Sequence, residues 1–103
     1  MNFEFVVVDI LLIAGRSIIF TGKVGSGKVC VGDDLSLQSP QGQMVVKVVS
    51  LEPSGFRVAG AQAGDNVGIV VEYMNLEPVA DGFRFTAGQQ VQVLSLTLRG
   101  LRR

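Results

Sequence analysis

Apolar residues come along this chain in short β-branched runs separated by glycine-rich breaks, and no stretch repeats with a helical period. Residues 6–13 (Val-Val-Val-Asp-Ile-Leu-Leu-Ile) form the first run, and Ala14-Gly15-Arg16 reads as a hairpin turn into a returning strand over 17–24. Gly25-Ser26-Gly27 interrupts that strand, which resumes at Val29-Cys30-Val31. Leu35 and Leu37 alternate with Ser36 and Gln38 as in a half-buried strand, and Ser39-Pro40-Gln41-Gly42 has the chemistry of a turn. The pattern predicts further strands over 44–51, 67–73, 82–86 and 90–98, with a short extended piece at 56–58 and a turn at Ala63-Gly64-Asp65-Asn66. About seven short strands with regular turns predict an all-β chain, and closure into a small antiparallel barrel would remove its sheet edges. The expected core includes Val8, Ile10, Ile19, Leu35, Val48, Val67 and Ile69.

Two places break the alternation. Residues 6–13 are apolar on both faces, and in 90–98 the apolar phase slips from Val91 and Val93 to Leu94, Leu96 and Leu98. A bulge would reconcile either one, and so would a second covered face. The apolar surface of the first strand and of the three leucines predicts self-association, with a symmetric dimer as the commonest form.

Length and charge narrow the function. The 103 residues have room for one domain, spanning 1–103, and nine basic and nine acidic residues cancel. No global field therefore recruits nucleic acid. After Asp81 every charged residue is an arginine (Arg84, Arg99, Arg102, Arg103), a short basic tail that reads first as a solubilising chain end. A single cysteine, Cys30, allows no internal disulfide and fits a reducing, cytoplasmic setting; between two valines it reads as a core residue. The longest apolar run is too short to span a bilayer as a helix, so no membrane association is expected.

Gly22-Lys23-Val24-Gly25-Ser26-Gly27-Lys28-Val29 nearly matches a phosphate-binding loop, but Val29 stands where a hydroxyl would hold magnesium. More strand follows where that loop needs a helix, so the segment reads as a glycine-rich turn. With no histidine and one cysteine the usual zinc sites cannot be built, and no general base accompanies the serines. No enzyme and no cofactor are expected; nucleotide hydrolysis through Lys28 ranks third among the readings.

The segments Val8-Asp9-Ile10, Gly15-Arg16, Thr21-Gly22-Lys23-Val24, Gly27, Val31-Gly32-Asp33 and Ala63-Gly64-Asp65-Asn66-Val67-Gly68 together resemble domain 2 of the translational GTPases, elongation factor Tu above all. The resemblance covers about residues 3–86, leaving 87–103 as an extra strand and basic tail. It implies a β-barrel, with Asp9 reaching Arg16 near the hairpin and Gly27, Gly32 and Gly64 at positions of positive φ or close approach. In elongation factor Tu this domain helps hold the aminoacylated end of tRNA, and in other members it meets the ribosome. The factor's pocket uses a glutamate, a following Phe-Arg pair and an asparagine. Counted without gaps, these fall on Glu52, on Ser54-Gly55 and on Asn66, so the stacking and charged groups of the pair are missing. The implied function is a non-enzymatic module docking on RNA, the ribosome or a translation-related partner such as a separate GTPase chain. Glu52, Asn66, Arg99, Arg102 and Arg103 are its candidate contacts. The alternative is a structural, oligomer-forming domain with no RNA role. A free-standing relative and a piece of a larger factor are both open, and Met1 with the arginine-ended tail favours the first.

Overall fold

The computed structural model describes residues 2–101, with the backbone alone at Gln89. In chain order the strands are β1 (Glu4–Ile13), β2 (Ser17–Ser26), β3 (Lys28–Cys30), β4 (Asp34–Gln38), β5 (Gln43–Lys47), β6 (Ser50–Glu52), β7 (Gly60–Gln62), β8 (Asn66–Glu72), β9 (Phe83–Phe85), β10 (Val91–Val93) and β11 (Thr97–Gly100). A 3-10 turn at Glu77–Gly82 precedes β9. Seven strands form one antiparallel sheet in the order β5-β4-β11-β1-β2-β8-β6, and β9 with β10 and β3 with β7 make two short ribbons.

The sheet is not closed by ladders, contrary to the barrel read from the sequence. Its two edges, β5 and β6, are consecutive in the chain and are joined covalently through Val48 and Val49. Residues 44–51 are therefore two strands. β5 pairs with β4, and after Val48 the chain crosses over to pair β6 with β8. At the crossing, the Val48 N–H donates to the Asp33 carbonyl and the Val49 N–H to the Val70 carbonyl. Side chains from the concave face of the sheet fill the core, with Phe5, Ile18, Phe20, Leu35, Leu37, Leu51, Ile69, Leu96 and Leu98 essentially inaccessible.

Both irregularities in the pattern resolve. In β1 the register against β2 shifts between Val7 and Asp9, so Val8 is the extra residue of a bulge. Phe5, Val7 and Ile10 point inward, while Val6, Val8 and Leu11 face outward. Val8, expected in the core, is thus 63% exposed. Ile19 is half-buried on the outer face, whereas Ile10, Leu35, Val48, Val67 and Ile69 are in the core as expected. The second irregularity is a break between strands. The Leu94 and Ser95 N–H groups both donate to the Gly82 carbonyl, ending β10 before β11 begins. Leu96 and Leu98 are buried and Leu94 alone is exposed, so the three leucines form no surface patch. Nor is the C-terminal segment an appendage, because β11 lies in the middle of the main sheet, between β1 and β4.

Candidate functional site

The two G-D motifs are built alike. Gly32 and Gly64 both have φ +95°. In each turn the following aspartate carboxylate accepts the N–H three residues back, from Cys30 to Asp33 (2.8 Å) and from Gln62 to Asp65 (2.9 Å). The second turn is strapped to β2: the Gly64 N–H donates to the Val24 carbonyl and the Val24 N–H to the Asp65 carbonyl, both at 2.9 Å. These bonds set Asn66 at the start of β8, directly opposite Lys23. Residues paired across an antiparallel ladder share a face, so the outer face of β1, β2, β8 and β6 can be read in rows. One row is Val6, Lys23 and Asn66; the next is Asp9, Thr21, Gly68 and Glu52; a third is Leu11, Ile19, Val70 and Ser50.

A groove of about 540 Å³ lies across these rows. Lys23, Glu52 and Asn66 form its polar end, and Val8, Leu11 and Ile19 its apolar end. Gly68 makes the floor between them: a Cβ there would stand 3.0 Å from Ile19 Cγ2 and 4.0 Å from Thr21 Cγ2, filling the space. The Ser50 hydroxyl donates to Glu52 Oε2 (3.3 Å) and steadies that carboxylate. Among the described residues Lys23 has no ion-pair partner.

Of the sequence-derived contacts, Glu52 and Asn66 come together here. Arg99 does not: it sits on β11 and pairs with Glu4 at 2.7 Å, outside the groove. Arg102 and Arg103 lie outside the described residues. Asp9 is set across from Thr21 and forms no ion pair with Arg16 among the described residues. Cys30 is half-buried rather than in the core, because strand alternation sends Val29 inward instead. Gly22 to Val29 runs from β2 through a bend at Gly27 (φ +75°) into β3, so Lys28 opens a strand. Among the described residues no group of three or more acidic, cysteine or histidine side chains could hold a metal ion. No helix among them is long and apolar enough to cross a membrane.

No protein-family profile matches the chain. Its structure is similar to that of translation elongation factor SelB from Methanococcus maripaludis, in the apo form and in complex with the GTP analogue GPPNHP. Both comparisons have a TM-score of 0.71 and 25% sequence identity, covering 97% of this chain and 19% of the other. The chain is built like a domain of a translation elongation factor. It spans about a fifth of the SelB chain, and the similarity runs well past residue 86, taking in the C-terminal strand.

Counting without gaps put Ser54 and Gly55 where a Phe-Arg pair follows the glutamate. Phe56 and Arg57 stand two residues further on, both exposed, on the segment that leaves the groove wall at Pro53 and Gly55. Gly55 has φ +79°, a left-handed turn that glycine adopts without strain.

Proposed function

We propose that this chain is a non-enzymatic binding module of translation-factor type, working in the cytoplasm, whose outer groove holds single-stranded RNA. The observation that carries this is the convergence of Lys23, Glu52 and Asn66 beside an apolar floor, with Phe56 and Arg57 on the adjoining segment. An unstacked nucleotide needs such a mixture: an apolar or aromatic surface for its base face, an amide and a carboxylate for its edges and hydroxyls, and a cation for its phosphate. The similarity to SelB supports a translation-related role in general terms.

The test is anisotropy of an end-labelled single-stranded oligoribonucleotide. Wild type binds saturably. Asn66→Ala weakens binding up to about tenfold, as expected for one hydrogen bond, and Gly68→Val abolishes it by filling the floor. Equal binding by all three proteins, or no saturable binding by wild type, would sink the reading.

A homo-oligomer is the second reading, favoured by Val6, Val8 and Leu11 exposed along one strand. Val8 and Leu11 also line the groove, so a second copy and RNA compete for this face. Light scattering during the same titration then sees the dimer dissociate as RNA binds.

A further inference from the structure

The groove does not end at Leu11. Leu11 and Thr21 also line a second depression of about 380 Å³ beside β10, and Leu12 is common to that depression and a third cavity of about 500 Å³. The three follow one another along β1, and from Val8 to Leu12 the strand rises about 13 Å. The last cavity is lined by Tyr73, Phe83 and Phe85, three of the chain's seven aromatic residues. Tyr73 and Phe85 are 47% and 63% exposed, so their faces are open to a ligand. Phe83 meets Phe85 edge to face, with ring centroids 5.8 Å apart. Arg84 on the same wall donates from Nε to Gln92 Oε1 (2.8 Å), which orients the guanidinium; its terminal NH₂ groups have no partner among the described residues. Asn75 accepts the Glu77 N–H through Oδ1 (2.9 Å), which leaves its NH₂ group free to donate.

We propose that this aromatic cavity receives an unstacked base of the same RNA strand, several nucleotides of which run along β1 from the groove. The proposal rests on the RNA reading of the groove. Aromatic faces from two separate segments, a fixed guanidinium and an amide donor are the groups that hold a base by stacking and by its edge, and the intermediate depression shares lining residues with both the groove and the cavity.

Tyr73 is the only tyrosine and the chain has no tryptophan, so intrinsic fluorescence reports this cavity directly. Hexa-adenylate and di-adenylate are compared on wild type, Phe85→Ala and Gly68→Val; Phe85 is exposed enough that its loss leaves the fold intact, which circular dichroism checks. Hexa-adenylate is expected to quench Tyr73, and Phe85→Ala to weaken its binding about tenfold, equivalent to ~1.4 kcal/mol, with di-adenylate unaffected. Hexa-adenylate binding with Tyr73 unchanged and no effect of Phe85→Ala overturns the cavity and leaves the groove standing. Quenching that persists in Gly68→Val supports the cavity and overturns the groove. Binding of neither oligonucleotide overturns both, and quenching by an apolar peptide alone assigns the cavity to a polypeptide and overturns this proposal.

Discussion

Two glycines on neighbouring strands show how differently the same residue is used. Gly22 faces inward, where a Cβ would lie 2.4 Å from the Val6 carbonyl oxygen and 3.1 Å from the Phe5 ring. Backbone cannot yield as a side chain can, so Gly22→Ala is expected to cost about 3 kcal/mol through overpacking. Gly68 faces outward, and its nearest neighbour would be a methyl group of Ile19. A shift of a few tenths of an ångström relieves that contact, so Gly68→Ala is expected to cost under about 1 kcal/mol. Urea unfolding of the two variants measures the difference; comparable losses would mean that Gly68 is structural and does not shape the groove. Both glycines sit within the family-like motifs, and nothing in the residue type tells them apart. Their roles depend on which face each occupies.

At the scale of elements, the pattern located most strands but assigned too few of them: it placed an extended piece at 56–58, where only Val58 bridges to Leu51, and missed β7 at Gly60–Gln62. Residues 90–98 read as one strand with a slipped phase, and the structure makes them β10, a tight turn and the start of β11. The turn is held by the Gly82 carbonyl, and a Cβ on Gly82 would collide with Ser95 and Leu96. A contact between residues this far apart in the chain leaves no trace in a local alternation pattern. The consequence is testable. Leu96→Ala is expected to destabilise by about 2–5 kcal/mol as a core truncation, whereas Leu94→Ser stays within about 0.5 kcal/mol. Equal thermal midpoints for the two would contradict the placement of β11. The turn at 39–42, by contrast, was plain from its residues. Its docking was not: the Asp81 carboxylate accepts the Ser39 hydroxyl and the Gln41 N–H, and Gly42 packs directly on the Pro78 carbonyl.

For the molecule as a whole, charge balance limits how RNA could be held. Nine cations and nine anions leave no net field, and Arg99 is engaged with Glu4. Lys23 lines the groove and Arg57 stands on the adjoining segment, while Arg84 in the aromatic cavity is assigned to the base, so about two phosphates would be neutralised. The logarithm of the binding constant should then fall with the logarithm of salt at a slope of about −1.4. A slope several times steeper would move the binding surface elsewhere. Affinity through the groove therefore rests on stacking and hydrogen bonds more than on counterion release.

Local chemistry decided much of this protein. β-branched runs made strands, and glycine followed by aspartate made two nearly identical turns, because left-handed backbone and a carboxylate accepting a nearby N–H are short-range requirements. The motif order carried the resemblance to a translation-factor domain, and with it Glu52 and Asn66. Only the tertiary structure decided which strands are neighbours, that Val8 is bulged outward, that Leu96 is core, and that the sheet's edges are joined by the short crossing at Val48 and Val49 and not by a ladder. Each depends on pairing between distant segments, and a one-residue shift in register exchanges the two faces of a strand. The groove and the aromatic cavity belong to this second class, since their walls come from strands that meet only in the folded sheet.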